Sequence, residues 1–327
     1  MSKEESTKTM DSLGDRMKEY EAHSDVHYIP GYRNFIMRLD GNNFSKFTKG
    51  LPKPYDKYFS LVMVLTTNDL VKKYKPVTGY THSDEITLIF GAQCTKDEYE
   101  EGGREKRDFI HNGKEPKLLS LVASYCSVRF NYHYLRLVTA GATNYNDTVN
   151  EKIHSMEAVF DARFVLFPED REGVEIANHM IWRSLYDCYR NGSSTFADFY
   201  LGKKKTHGMS TKEKVMTMRD NKIVDFDKDV PVCYQHGSYV KKCLVEKEVE
   251  YVDGRTGETK KTMAKRHEFV NFTMKVKSDE PYINLLLSKN LEDESRDLVT
   301  VMDLDSFPYF ESSFFAETGS VKNSDGK

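Results

Sequence analysis

Two short apolar stretches with an acidic residue at one end constrain the fold of this chain more than any other feature. The first, Phe35 to Asp40, has the alternation of a strand, and Gly41 ends it because glycine lets the backbone turn away. The second, Glu85 to Phe90, follows Ser83-Asp84 at a predicted hairpin tip. Each stretch therefore places a carboxylate at a strand boundary. If the two strands are neighbours, Asp40 and Asp84 lie close together.

Two carboxylates at one point repel each other unless a cation lies between them. Oxygen ligands on rigid strand ends suit Mg²⁺, which keeps its other positions for water and phosphate oxygens. A pair of such ions is a common device for phosphoryl and nucleotidyl transfer. The alternative is that Asp40-Gly41 is only a turn signal and that Ser83-Asp84-Glu85 is solvated hairpin decoration. The two stretches taken singly leave both interpretations open.

Periodicity and turn signals predict the order β-α-β-β-α-β, which is the ferredoxin-like α+β arrangement of polymerase and cyclase palms. The predicted elements are strands 34–39, 77–82, 85–91 and 159–167, with helices 56–74 and 117–129. In such a sheet the first and third strands are neighbours, so the topology independently supports a site with two carboxylates. RNA-binding modules share the topology, and fold alone does not imply function.

The segments outside this core are predicted with less regular patterns. The expected elements are a short helix over 11–21, helices 171–190 and 194–219 (interrupted at 207–208), strands 231–245, 247–252 and 268–276, and a hairpin turn at 253–258. Residues 1–10 and 318–327 have the composition of disordered segments. The predicted domains are a palm with RNA-side helices over 11–245 and a partly β C-terminal extension over 246–317.

Composition excludes several classes of protein. No apolar run in the 327 residues approaches the length of a membrane span, and the polar N-terminus lacks a signal-peptide core. We therefore expect a cytoplasmic protein, with an organelle not excluded. The five cysteines include no CxxC pair, which favours reduced thiols over a zinc site. Because the net charge is −3, a nucleic-acid site has to be a local basic patch.

Seven motifs follow one another along the chain. They are RLDGNNFSKF (38–47), KPYD (53–56), HSDEITLIF (82–90), KLLSLVAS (117–124), FDARFVLFP (160–168), IWRSLYDCYRN (181–191) and HGMSTKE (207–213). Together they resemble the tRNA-His guanylyltransferase superfamily, whose enzymes add nucleotides in the 3′-to-5′ direction. The resemblance covers about residues 11–245. Two of the motifs resemble the guanylyltransferase-like branch, which is linked to template-directed repair of tRNA 5′ ends.

The resemblance implies a palm-type active site. Asp40, Asp84 and the carbonyl of Gly41 match the groups that hold two Mg²⁺ ions, and Glu85 matches an acidic neighbour in catalysis. The residues that match the nucleotide-binding positions are Asn42, Asn43, Phe44, Lys53, Asp56, Ser83, Lys114 and Lys117. Lys114 stands where the family usually has arginine, so bidentate phosphate contact is lost there. For Lys114 and Lys117 a solvated helix start is the alternative.

RNA contacts are also expected from the resemblance. The matching positions are Asp187, Arg190, Asn191, Lys203, Lys204, Lys205 and His207. The first three are expected at a helix end, where capping is the alternative, and the lysine run is a phosphate contact or a solvated face. Trp182, the only tryptophan, has an apolar-stripe context that favours the core over a base-stacking role.

Two departures from the family pattern bear on the substrate. Ser45 stands where the family usually has histidine, and Tyr189-Arg190-Asn191-Gly192 replaces the His-Ile-Asn-Asn stretch of the tRNA-His branch. Both weaken the case for dedicated tRNA-His guanylylation. The second fits the repair-type branch, which carries Arg-Asn at this point.

The resemblance therefore implies a metal-dependent nucleotidyltransferase that extends the 5′ end of tRNA or another structured RNA. ATP and GTP serve as substrates, the 5′ end is activated, and the 3′-hydroxyl of the incoming nucleotide attacks the activated phosphate. A homotetramer is expected from the family. The alternatives are tRNA-His guanylyltransferase proper, a palm-type nucleotide cyclase or signal synthase, and a non-catalytic RNA-binding module.

Overall fold

The computed structural model describes residues 27–102, 108–252, 254–277 and 279–304. The predicted helix over 11–21 and the predicted disordered ends lie outside these residues. The chain divides into two compact units, Met1–Arg33 with Ala92–Leu121 and Asn34–Gly91 with Val122–Lys327.

Seven strands and twelve α-helices are named in chain order among the described residues. The strands are β1 (Phe35–Gly41), β2 (Thr78–His82), β3 (Glu85–Phe90), β4 (Phe160–Val165), β5 (Ser238–Val252), β6 (Thr259–Thr273) and β7 (Thr300–Met302). The first six helices are α1 (Phe44–Phe47), α2 (Lys57–Tyr74), α3 (Lys96–Gly102), α4 (Glu115–Thr139), α5 (Asp147–His154) and α6 (Glu172–Ile181). A π-helical segment (Trp182–Cys188) follows, then α7 (Tyr189–Leu201), α8 (Lys203–Thr206), α9 (Thr211–Asp220), α10 (Phe226–Asp229), α11 (Val232–His236) and α12 (Glu280–Leu287).

The strands form one antiparallel sheet with the order β4-β1-β3-β2-β5-β6-β7. The first four strands in this order, joined by α2 and α4, confirm the predicted βαββαβ palm. Strands β1 and β3 are neighbours, and their register pairs Asp40 with Glu85. The two acidic stretches of the sequence therefore meet at one end of adjacent strands.

Each face of the palm sheet is buried against helices. On one face, the ring of Phe44 packs against the rings of Phe59, Phe130 and Phe160. On the other, Ile36 and Ile89 belong to a buried cluster with residues of α6 and α12, including Ile176, Met180 and Leu285. Burial on both faces makes the middle of the sheet a rigid base for the side chains at its end.

Helix α2 has clear start and stop signals. The carboxylate of Asp56 accepts a hydrogen bond from the backbone N–H of Phe59 at 2.6 Å, which caps the helix start. Lys75 adopts a left-handed conformation after the last turn, and Pro76 follows it. The helix therefore spans the range that the sequence predicts.

Several segments differ from their predictions, among them helix α4, which ends at Thr139 rather than near 129. The predicted strand 231–245 is wrong over its first part, since α11 occupies 232–236 and Gly237, at φ 81°, reverses the chain before β5. Strand β5 then continues without a break to Val252, and β6 begins at Thr259 rather than near 268. The helix end expected near 190 is also wrong, because one helical run continues from Glu172 to Leu201.

The smaller unit has its own contacts. The backbone N–H of Ile29 donates to the carbonyl of Gly113 at 2.9 Å, and Tyr32 packs edge-on against Tyr99. Helix α4 starts at Glu115.

Among the described residues, none of the helices combines the length and the apolar character that crossing a membrane requires.

Candidate active site

Asp40 and Asp84 lie at the same end of the sheet. Asp40 is the penultimate residue of β1, and Asp84 is in the two-residue turn between β2 and β3. The backbone N–H of Gly41 donates to the carbonyl of Asp84 at 3.0 Å, which fixes the turn against the end of β1. Ser83 supplies the left-handed residue of this turn at φ 49°.

The environment of Asp84 is unfavourable to its negative charge. Burial raises the pKa of this carboxyl, and the charge of Asp40 raises it further, while a hydrogen bond from Ser83 acts in the opposite direction. That bond runs from the Ser83 hydroxyl to Oδ1 of Asp84 at 3.0 Å. Asp40 and Asp84 lie at the same end of the sheet, and like charges brought together there favour a bound cation.

Two arginines balance Asp40. Nη2 of Arg38, two residues earlier on β1, lies 3.3 Å from Oδ2 of Asp40, and Nη2 of Arg163 on β4 lies 3.6 Å from the same oxygen. Both arginines share the sheet face of Asp40, since β1 pairs in register with β4. Neither arginine is among the site residues predicted from the sequence, although Arg38 alternates with Asp40 on the predicted strand.

Glu85 is held by arginines. Its carboxylate forms ion pairs with Arg38 and with Arg183 of the π-helical segment. Arg183, only 1 % exposed, also pairs with Asp187 one turn later. The charge of Glu85 is therefore balanced by two guanidinium groups at the start of β3.

His82 completes this buried cluster. Its Nε2 lies 3.6 Å from Oδ2 of Asp187 and 3.9 Å from Oε2 of Glu85. Contact with the His82 ring and the charge of Arg183 lower the pKa of Asp187 to about 2. Atoms of His82, Glu85 and Asp187 approach closely enough to hold a metal ion, but the guanidinium of Arg183 already supplies the positive charge between the two carboxylates.

The structure corrects two expectations about the predicted RNA-binding residues, namely that Asp187 is exposed and that Asp187 and Arg190 lie at a helix end. Asp187 is 6 % exposed and faces the interior, so it has no surface for RNA. Arg190 is exposed and pairs with Asp187, and neither residue lies at a helix end, because α7 continues beyond them. The run Lys203–Lys205 and His207 are exposed around α8.

A cavity of about 350 Å³ opens beside the turn that carries Asp84. Its lining includes four residues expected at the nucleotide or RNA, Lys53, Asp56, Ser83 and Asn191. This volume is in the range of small-molecule sites. A second cavity of about 220 Å³ is lined by Asn42 and Asn43, together with residues of α1 and α5. The structure thus separates the predicted nucleotide residues into two neighbourhoods.

Two predicted nucleotide residues have structural roles instead. Phe44 is 2 % exposed within the aromatic core, which leaves its ring no surface for a nucleotide. Asp56 lines the larger cavity, but its carboxylate caps α2 and accepts a hydrogen bond from the Tyr145 hydroxyl at 2.6 Å. Lys114 and Lys117 are exposed and belong to the smaller unit, where Nζ of Lys114 lies 5.7 Å from the centre of the Tyr28 ring.

Comparisons with known proteins place the chain in a family. Residues 14–168 match the family described as Thg1, tRNAHis guanylyltransferase. The chain is 36% identical to "Uncharacterized protein R259" of Acanthamoeba polyphaga mimivirus over 297 residues, which cover 90% of this chain and 95% of that protein.

Solved structures show the same fold. A bacterial Thg1-like protein in complex with ATP matches with a TM-score of 0.55 and 24% identity, over 70% of this chain and 88% of that one. A bacterial Thg1-like protein in complex with GTP matches with a TM-score of 0.52 and 24% identity, over 77% of this chain and 91% of that one. The tRNA(His) guanylyltransferase of Saccharomyces cerevisiae matches with a TM-score of 0.51 and 20% identity, over 68% of this chain and 91% of that one. The chain therefore belongs to the Thg1 family, a family of nucleotidyltransferase enzymes.

Proposed function

We propose that this protein is a metal-dependent 3′-5′ nucleotidyltransferase that adds nucleotides to the 5′ end of tRNA or a related RNA, in template-directed 5′-end repair. The observation that carries the proposal is the meeting of Asp40 and Asp84 at one end of adjacent strands. Family membership supports the reaction class. The ATP and GTP complexes of the structural relatives support the use of both nucleotides as substrates.

The donor set at this point fits Mg²⁺. Asp40 and Asp84 offer carboxylate oxygens and Gly41 offers a backbone carbonyl, all hard ligands of the kind that Mg²⁺ prefers. Burial, and to a smaller extent the charge of Asp40, raise the pKa of Asp84, and a cation beside this carboxyl would offset both effects. Bound Mg²⁺ neutralises phosphate oxygens and favours ionisation of an attacking hydroxyl.

The residues around the carboxylates suit a triphosphate. Lys53 brings an exposed positive charge to the wall of the larger cavity, and the hydroxyl of Ser83 lies on the same wall. An ammonium group binds phosphate as a point charge, and a hydroxyl donates to a phosphate oxygen. The turn between β2 and β3 thus carries Ser83, which lines the cavity, directly before Asp84, and this adjacency supports phosphate binding next to the proposed metal ligands.

Primer-extension analysis tests the proposal. Labelled nucleoside triphosphates, Mg²⁺ and a tRNA lacking its 5′ nucleotide are incubated with the protein, and the products are resolved on a sequencing gel. We expect 5′ extension that stops when the end is paired, and its loss in Asp40→Asn and Asp84→Asn. Asp220→Asn is the matched control, since Asp220 is an exposed aspartate at the end of α9, outside the sheet.

Two results would contradict the proposal. Extension at the wild-type rate in either variant would remove Asp40 and Asp84 from the site. Conversion of the triphosphates to a cyclic or joined product without RNA would favour a nucleotide-signal synthase. The homotetramer expected from the resemblance belongs to the same proposal, and analytical ultracentrifugation of the full chain measures it.

A further inference from the structure

The π-helical segment presents two aromatic side chains to solvent. Trp182 is 48 % exposed and Tyr186 is 66 % exposed, whereas Arg183, Ser184, Asp187 and Cys188 are buried. Large apolar groups on an enzyme surface that form a contiguous group usually mark a binding surface. The exposure of Trp182 also corrects the expectation from the sequence that this residue belongs to the core.

The exposed residues follow one another at four-residue intervals. We call Trp182, Tyr186 and Arg190 the aromatic row. The row ends in the guanidinium of Arg190, whose side chain is 62 % exposed. Helix neighbours at this spacing lie about 5–6 Å apart at Cβ. The order of two flat rings and then a cation matches the chemistry of a single RNA strand, in which bases stack and phosphates pair with cations.

Buried Arg183 connects Trp182 of the aromatic row to the candidate active site. The guanidinium carbon of Arg183 lies 5.2 Å from the centre of the Trp182 ring, and the same guanidinium pairs with Glu85. Glu85 lies opposite Asp40 in the register of β1 and β3. The Trp182 ring is thus two contacts away from the end of the sheet where the reacting RNA end is proposed to bind.

Neighbouring residues contact the Trp182 ring and orient it. His179 packs edge-on against Trp182 with ring centres 5.8 Å apart, and the guanidinium carbon of the buried Arg183 lies 5.2 Å from the centre of the same ring. The ion pair of Arg183 with Asp187 fixes which side of the segment faces inward. π-helical turns are rare and occur frequently at functional sites, where they change which side chains are presented.

We propose that Trp182 and Tyr186 stack on an unpaired nucleobase of the RNA substrate next to its 5′ end, with Arg190 contacting a phosphate of the same strand. This inference rests on the proposed function and names the RNA subsite beside the carboxylates. A partner protein would also cover apolar rings, but the exposed cation at the end of the row favours a polyanion.

The single tryptophan gives a direct test. Trp182 fluorescence is titrated with a tRNA that lacks its 5′ nucleotide, so that the opposing base is unpaired, and with the same tRNA carrying a complete, paired end. ATP and GTP with Mg²⁺ are titrated separately. We expect saturable quenching by the RNA with the unpaired base and a clearly smaller change with the paired RNA and with the free nucleotides.

Variants measure the contribution of the rings. Stacking on one aromatic side chain corresponds to about a 5- to 150-fold change in Kd. We expect Tyr186→Leu and Trp182→Leu to weaken binding of the RNA with the unpaired base by this factor, measured by filter binding, with Trp182→Phe retaining most of the affinity. Tyr251→Leu is the matched control, because Tyr251 is an exposed tyrosine on the β5–β6 hairpin.

The outcomes separate this inference from the proposed function. Normal 5′ extension with unchanged RNA affinity in both leucine variants overturns the role of the aromatic row in RNA binding. It leaves the proposed function intact. Equal quenching by free nucleotides assigns the rings to the incoming nucleotide and also overturns the RNA subsite. Absence of both RNA binding and extension in the wild-type protein overturns the proposed function and the subsite with it.

Discussion

Arg183 and Glu85 form a buried ion pair that joins the π-helical segment to the start of β3. The pair links the helices beyond the palm to the sheet end where Asp40 lies, across about a hundred residues of sequence. Arg38 pairs with the same glutamate, so one carboxylate serves two guanidinium groups. The charge balance of the site is therefore shared between the strands and the helical run.

Replacing Arg183 with Met should destabilise the protein strongly. The change leaves Asp187 and Glu85 buried with fewer positive partners, and loss of one member of a buried ion pair costs about 3–5 kcal/mol. Urea unfolding measures the free energy of unfolding. Adding Glu85→Gln and Asp187→Asn to the variant should restore part of it, and failure of this triple variant to recover would argue against charge as the cause.

Mg²⁺ should stabilise the wild-type protein by binding the folded state. A ligand at 100 times its Kd raises the free energy of unfolding by about 2.7 kcal/mol. We expect the Tm to rise with Mg²⁺ concentration in the wild type and in Asp220→Asn, a change at an exposed aspartate of α9, and not in Asp84→Asn. A rise of equal size in Asp84→Asn would place the ion elsewhere.

Acid should destabilise the fold through His236. Burial lowers the pKa of His236 to about 4, and the charge of Lys275 adds to this effect. Between pH 6.5 and 4 the unfolded chain binds a proton that the folded chain does not, so stability falls as the pH falls, by up to about 3 kcal/mol. His236→Gln should make the stability curve shallower over this window, with part of the slope remaining because burial also lowers the pKa of His179 to about 4. Substitution of the exposed His267 is the control.

Gly41→Ala should destabilise the end of β1. A Cβ at this position would lie 2.4 Å from Cδ2 of Phe44, so the buried ring would have to move. Overpacking of this kind costs about 1–3 kcal/mol. In thermal unfolding, the double variant Gly41→Ala/Phe44→Leu should be less impaired than the sum of the two single changes, and simple additivity would rule out the steric explanation.

The palm could be predicted from the sequence because its signals are local. The alternation around Arg38, the cap at Asp56 and the turn at Ser83-Asp84 each lie within a few residues, and together they specify the strand order. The strand order in turn brings Asp40 beside the turn that holds Asp84. The metal-ligand prediction therefore needed no contact between distant helices.

The buried cluster around Arg183 could not be predicted in the same way. Charged residues in an amphipathic helical sequence are normally exposed, and the partner Glu85 lies on a strand far away in the chain. The spacing of Arg183 and Asp187, four residues apart, was the local signal available. The orientation of the helical segment about its own axis decides both the burial of these charges and the exposure of Trp182. Sequence periodicity does not reveal this orientation.

Helix α11 was missed because its sequence is short and apolar, as in a strand. Tertiary packing decides its conformation: the carbonyl of Tyr234 approaches Gly192 so closely that a Cβ on the glycine would lie 2.6 Å from it. Pro231 before the helix and Gly237 after it were the available signals. They mark the boundaries but do not identify the element between them.

Strands β5 and β6 complete a sheet that begins in the palm, and this limits how the chain can be divided. A fragment ending at 245, the domain boundary expected from the sequence, would keep the first half of β5 without its neighbour β6. The exposed backbone of that strand would be a template for pairing with other molecules, and such fragments aggregate. Strand β6 thus covers the backbone edge of β5, which itself pairs with β2 of the palm. Truncation experiments should therefore preserve the β5–β6 pairing.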